Sequence, residues 1–178
     1  MKNSPEGVAK SLKETFGEDI TGVRILDREE GVHEKVLQRG LWITMTRRVF
    51  HRAIQLLKSK YGQPHICCPM ASKEYDDGIE LIYPFTLNAG AGYMKEFTLT
   101  IAVFLPMSDL RIRTITDIIP GILFMERETR EMLGVWFEDI PDERRLYTPD
   151  YLADDNFPLR NDFSDPHVKE EEIPGESK

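Results

Sequence analysis

Prolines stand at positions 141, 149, 158, 166 and 174, so one recurs every eight or nine residues through the last 41 residues of this 178-residue chain. Each removes a backbone N–H and blocks the preceding helical turn, and none fits a central strand. No long helix or paired strand is therefore expected after Phe137, and this third of the chain cannot supply a regular layer to a core. Structureless runs of that length are uncommon in compact domains. A disordered tail would be poor in large apolar residues, yet Trp136, Phe137, Leu146, Tyr147, Tyr151, Leu152, Phe157, Leu159 and Phe163 persist. The sequence therefore divides into a domain over 1–136, an extended docking arm over 137–163 and a free acidic end over 164–178, "SDPHVKEEEIPGESK".

Charge divides at the same place. Residues 1–137 hold 18 acids and 18 bases, and the remaining 41 hold 13 acids and 5 bases, so the net charge of −8 lies in the last segment. Nucleic-acid binding is disfavoured, because no basic excess exists to neutralise phosphates. No apolar run approaches the ~20 residues of a membrane helix. The N-terminus "MKNSPEGVAKSLKETF" lacks the apolar stretch of a secretion signal. The chain is thus expected to begin near Met1, to stay in the cytoplasm and to have no direct membrane span.

The first two thirds carry alternating signals. Val8, Leu12 and Phe16 predict a short amphipathic helix that Gly17 stops. "ITGVRILD" reads as a strand, and "KVLQRGLWITM" as a second with a turn at Gly40. "TRRVFHRAIQLLKSKYG" is the clearest helix, with Val49, Ala53, Leu56, Leu57 and Tyr61 on one face, Thr46 as the expected cap and Gly62 as the stop. "HICCPMAS", "GIELIYPFTL" and "EFTLTIAVFLP" read as strands, with "NAGAGYMK" as a hairpin loop between the last two. A further helix is expected from about Asp117 through Ile118, Ile122, Met125, Met132 and Leu133 to Gly134, with Pro120 in its first turn. The fold class is α+β: a mixed or antiparallel sheet with helices on one face, followed by an extended C-terminal arm.

In that last helix Glu126 and Arg130 are four apart, as are Arg127 and Glu131, the spacing of surface ion pairs worth ~0.2–0.5 kcal/mol each. The helix runs straight into Trp136-Phe137, and the arm sets Arg144-Arg145 beside Leu146-Tyr147. Arginine mixed with aromatics is the composition of interface centres. Those ionic and apolar groups are expected to find their partners on a different polypeptide. Glu126, Arg127 and Glu128 are expected to be buried at or beside that contact, and truncation after Leu133 to leave the domain folded.

"TDIIPGILFMERETREMLGVWFEDIPDERRLYTPDYL" followed by "NFPLRNDF" resembles the C-terminal signature of the thirty-kilodalton subunit family of respiratory complex I and of energy-converting membrane-bound NiFe hydrogenases. The matching blocks are Thr116-Asp117-Ile118, Glu126-Arg127-Glu128, Glu131, Gly134, Pro141-Asp142, Arg144-Arg145-Leu146 and Pro158-Leu159-Arg160 with Asp162. With the preceding strands the resemblance covers about residues 78–163. Asp139-Ile140, Phe157, Asn161 and Pro84 depart from the family's usual residues, which places the chain nearer the hydrogenase-type branch. The resemblance implies a subunit without a cofactor of its own, whose α/β domain sits beside the NiFe-type large subunit while the arm runs along it. It implies a peripheral place on the cytoplasmic side of the membrane in a hetero-oligomer that includes the small iron–sulfur subunit. The implied interface comprises Glu126, Arg127, Glu128, Glu131, Trp136, Phe137, Arg144, Arg145, Leu146, Tyr147, Pro158, Leu159 and Arg160. A ferredoxin-linked, ion-translocating hydrogenase is the favoured complex, with a sulfur-reducing relative or an NADH/quinone oxidoreductase as alternatives.

No Cys-x-x-Cys pair, phosphate-binding glycine loop or His-Glu helix motif occurs. Cys67 and Cys68 are adjacent, which disfavours a bridge between them, and they read as two small apolar residues of a strand. His33, His51, His65 and His167 are scattered and read as surface or capping residues. Two further classes remain: an enzyme with Cys67 or Cys68 as nucleophile, and an independent acidic module for a basic partner, whose binding would collapse with salt.

Overall fold

A computed structural model describes residues 4–31, 35–68, 70–88 and 96–164. The "NAGAGYMK" loop beyond Asn88, the acidic end from Asp165, His33 and His167 lie outside the described residues. Helix α1 spans Pro5–Phe16, and Ser4 caps it by accepting a hydrogen bond from the Gly7 amide at 3.2 Å. Strands β1 (Ile20–Glu30) and β2 (Val36–Met45) pair antiparallel, and α2 spans Arg47–Tyr61. β3 (His65–Ile66), β4 (Ala71–Tyr75), β5 (Gly78–Leu87) and β6 (Phe97–Pro106) complete a six-stranded sheet of order β1-β2-β6-β5-β3, with β4 also on β5. β2 and β6 run parallel and the other pairs antiparallel, so the sheet is mixed, as expected.

One face of the sheet carries the core. Leu41, Ile43 and Met45 on β2, Ile79, Leu81, Tyr83 and Phe85 on β5, and Leu99, Ile101 and Val103 on β6 alternate inward and are buried. Val8 and Leu12 of α1 and Val49, Phe50, Ala53, Ile54 and Leu57 of α2 cover them. Phe50 packs on Tyr83 with ring centroids 4.6 Å apart. Pro84 is tolerated inside β5 because β4 pairs with residues 78–82 and β3 with 85–86, leaving the proline in the gap between two ladders.

Three sequence expectations are corrected here. β2 does not turn at Gly40 but runs through it, with Gly40 opposite both Leu26 and Thr98. Thr46 occupies the cap position of α2, but its hydroxyl donates to Asp19 at 2.6 Å and does not cap the helix. Cys67 and Cys68 lie beyond β3, exposed and outside any strand.

After β6 the chain forms β7 (Arg111–Arg113), a 3-10 turn at Pro120–Ile122, α3 (Leu123–Leu133) and β8 (Trp136–Glu138). β7 and β8 pair in parallel and put Ile112 and Phe137 into the core. α3 thus begins later than Asp117, and Gly134 ends it in the left-handed region at φ 75°. No helix or strand is assigned from Asp139 to Ser164.

Candidate functional site

The charged residues of α3 do not pair along the helix. Among the described residues no ion pair joins Glu126 to Arg130 or Arg127 to Glu131; each of the four reaches another segment. Glu126 has no exposed surface and takes the Thr114 hydroxyl and, at 3.1 Å, the Ile115 amide. Burial pushes its pKa up to about 7; the bonds from Thr114 and Ile115 pull the other way, and the Asp117 charge adds to the rise. With its one proton given to the carboxyl, the Thr114 oxygen accepts from the Thr116 amide at 3.1 Å and lies 2.9 Å from the Thr116 hydroxyl, so the carboxyl ends a short buried polar chain. Asp117 at its margin binds Nε2 of the buried His51 at 2.9 Å, which makes His51 a core residue and not a surface or capping one.

Arg127 and Glu131 both hold the arm. The Arg127 guanidinium donates to Asp142 at 3.0 Å, to the Arg144 carbonyl at 2.9 and 2.6 Å and to the Arg145 carbonyl at 3.3 Å. Asp142, bound also by the Arg144 side chain and amide, has its pKa held well below the carboxylate range, chiefly by Arg144. One turn on, Glu131 accepts the amides of Leu146, Tyr147 and Thr148 and the Thr148 hydroxyl. Burial opposes its charge, but these hydrogen bonds outweigh it and lower the pKa. Arg130 pairs with Glu143 at 2.9 Å and lies over the Trp136 ring, 4.2 Å from its centroid.

Further along, Arg145 binds the Pro149 carbonyl at 2.9 Å and the Asp154 carboxylate. Phe157 lies against Gly134, where a Cβ would come within 2.6 Å of its ring. The Leu159 amide donates to the Met132 carbonyl at 3.0 Å, and Arg160 and the Asn161 amide turn to Glu74 on β4. The expectation that the ionic groups find partners on another polypeptide is therefore corrected: Glu126, Arg127, Glu131, Arg145 and Arg160 find them within this chain. Their hydrogen-bonding capacity was legible; its direction was not, because an (i, i+4) pair and a bond to a distant loop leave the same local pattern.

The apolar side chains behave differently. Phe137, Ile140 and Leu152 are buried and belong to the core, so truncation after Leu133 would remove core residues and would not leave the domain intact. Phe124, Trp136, Tyr147, Tyr151 and Leu159 are 46 to 65% exposed. In the isolated chain Glu128 and Arg144 are exposed, and Leu146, Pro158 and Arg160 are half-buried. The site is thus a rigidly tied strap that turns large apolar groups outward.

Among the described residues no group of three or more His, Cys, Asp and Glu side chains is placed to hold a metal ion. Desolvation and the neighbouring Cys67 raise the Cys68 pKa, the opposite of what a nucleophilic thiolate requires. No helix among the described residues is long and apolar enough to cross a membrane.

Comparison with known proteins adds two relatives and one likeness of fold. The chain is 30% identical over 160 residues to the membrane-bound hydrogenase subunit beta of Pyrococcus furiosus, covering 88% of this chain and 84% of that one. It is 38% identical over 63 residues to NADH-quinone oxidoreductase subunit 5 of Thermus thermophilus, covering 35% and 30%. Its fold matches a chain of the membrane-bound sulfane sulfur reductase, an archaeal respiratory membrane complex, with a TM-score of 0.63 at 18% identity over 89% of this chain and 85% of that one. Residues 43–169, which hold the end of β2, α2, β3 to β8 and the strap with its Arg127 and Glu131 ties, match the model of the respiratory-chain NADH dehydrogenase 30 Kd subunit, and the chain belongs to that family.

Proposed function

We propose that this chain is a non-catalytic connecting subunit of a membrane-bound, complex-I-like oxidoreductase. The observation that carries this reading is the strap itself. Asp142, Arg144, Arg145 and the amides of 146–148 are tied within this chain and fix its course, while Phe124, Trp136, Tyr147, Tyr151 and Leu159 remain exposed. Aromatic anchors on a preorganised backbone are what a protein interface buries at its centre, since little conformational freedom is left to lose on docking. The proposed interface comprises those residues with Leu146 and Pro158 beside them. Arg127, Glu131, Arg144, Arg145 and Arg160 shape it from within, and Phe137 supports it from the core.

The match to a membrane-bound hydrogenase subunit over most of both chains favours a ferredoxin-linked, ion-translocating NiFe hydrogenase that reduces protons. The partners are then the NiFe-type large subunit and the small iron–sulfur subunit, on the cytoplasmic face of the membrane. Electron transfer depends steeply on distance, so holding two cofactor-bearing subunits in register has functional value without chemistry in this chain. The sulfane sulfur reductase and NADH-quinone relatives keep the equivalent subunit of those complexes as the second reading.

Affinity purification of the tagged full chain from solubilised host membranes tests this. A NiFe-type large subunit and an iron–sulfur subunit are expected to co-purify, and to remain bound in high salt because the anchors are apolar. Recovery of the chain without any oxidoreductase subunit would contradict the proposal. Partners that dissociate entirely on adding salt would instead favour an acidic module bound to a basic protein.

A further inference from the structure

β3 ends at Ile66, and the chain leaves the sheet through Cys67 and Cys68. Cysteine is among the residue types most often buried, yet both of these are exposed. The Cys67 amide still donates to the Pro84 carbonyl of β5, at 3.3 Å, and the backbone then bends at Cys68. In a continuing strand two successive side chains would point to opposite faces. The bend breaks that alternation. Cys67 acts on Cys68 as a near neighbour: after burial, its charge and a side-chain hydrogen bond are what raise the Cys68 pKa. The two thiols therefore lie side by side with a proton between them. Met70, the third sulfur of the segment, turns the other way and packs against the core beside Ile66, Tyr83 and Pro84.

Such a pair has three chemistries to choose from. Nucleophilic attack needs a thiolate, and the raised pKa leaves little of it. A disulfide needs the sulfurs drawn to about 2.05 Å, which strains the short ring that adjacent cysteines close. Two metal–thiolate bonds of about 2.3 Å leave the sulfurs up to about 4.6 Å apart and relieve that strain. Among the described residues no third His, Cys, Asp or Glu completes a ligand set. Zinc, which takes four ligands, and the hard cations, which take oxygen, are thus poorly served. A soft monovalent ion with a filled d shell is satisfied by two thiolates.

We propose that Cys67 and Cys68 form a two-coordinate site for a soft monovalent cation of the copper(I) class, each residue supplying one thiolate. Binding forms two metal–sulfur bonds and releases both thiol protons. No electron moves, so neither an oxidant nor a reductant is consumed. The cation takes the place of the proton between the sulfurs and cancels the repulsion that makes the second thiol hard to ionise. The site uses none of the residues of the proposed interface.

The test titrates the reduced full chain with Cu(I) under anaerobic conditions, against the chromophoric chelator bicinchoninate. One ion per chain is expected, with two protons released per ion and no displacement by excess Zn(II). Cys67→Ser and Cys68→Ser should each weaken binding at least about a hundredfold, because the remaining sulfur loses the effective concentration of its neighbour. Both variants should keep the fold, since the Cys67 amide and not its thiol holds β5. Should either misfold, alkylating both thiols of the wild-type chain with iodoacetamide should abolish binding without a substitution. No binding against the chelator, two ions per chain, a single-cysteine variant that binds as tightly as the wild type, or binding that survives alkylation would overturn the proposal. None of these results bears on which proteins co-purify with the chain, so the connecting role stands or falls separately.

Discussion

The Arg127 guanidinium donates twice to the main-chain carbonyl of Arg144, at 2.9 and 2.6 Å, and a third nitrogen reaches Asp142 at 3.0 Å. A helix side chain thus specifies the course of a segment that has no secondary structure. Replacing Arg127 by Met leaves those carbonyls without their donor, removes one of the donors to Asp142 and is expected to cost about 2–4 kcal/mol. Lys should rescue little of this, because one ammonium cannot reproduce the planar fork. Urea denaturation of both variants checks the loss.

Glu131 makes a separable prediction. Its carboxylate gathers three consecutive amides, 146 to 148, and Glu131→Ala should release them while α3 stays folded. Amide exchange at Leu146, Tyr147 and Thr148 is expected to speed by at least tenfold, with exchange in β5 and β6 unchanged. Unchanged protection at those three positions would show that the arm is held by other contacts.

Glu126 carries the pH dependence. Its native pKa of about 7 lies above the unfolded value near 4.5, so the unfolded chain releases this proton first as pH rises. Its contribution is whole below about pH 4.5, declines up to about pH 7 and is then constant, a loss on the order of 3 kcal/mol. Asp142 and Glu131, whose native pKa values are lowered, act with the opposite sign and lose their contribution only as the solution becomes more acidic than the normal carboxylate range. Glu126→Gln keeps an acceptor for Ile115 and a donor for Thr114 and cannot ionise. Denaturant midpoints from pH 5 to 7.5 are expected to fall for the wild type and stay level for this variant.

Much of this architecture was legible in the sequence, and the exceptions have physical causes. α2 was readable because Val49, Ala53 and Leu57 sit on one face over the sheet, and β5 and β6 because their alternation is imposed by one buried face. β4, "ASKEY", was missed because no residue of it is fully buried; pairing with Gly78–Ile82 of β5 makes it a strand, not its own pattern. β7 and β8 are three residues each and pair across 25 positions, which no local window detects. The prolines at 141, 149 and 158 announced the absence of helix and strand from Asp139 to Ser164, while β8 reaches one residue beyond Phe137. The burial of Glu126 went unread because its partners, Thr114 and Ile115, lie in the connection after β7, and nothing in "FMERETREML" distinguishes a carboxylate turned inward from one in water.

The central claim is that a neighbouring polypeptide of the complex buries the exposed aromatics of the strap. Hydroxyl-radical footprinting of Trp136, Tyr147 and Tyr151, in the isolated chain and in the natively purified complex, tests it most directly. All three should be labelled readily in the free chain and be strongly protected after assembly, with Tyr75 on β4 as the exposed reference. Equal labelling of Trp136, Tyr147 and Tyr151 in both states would contradict the account.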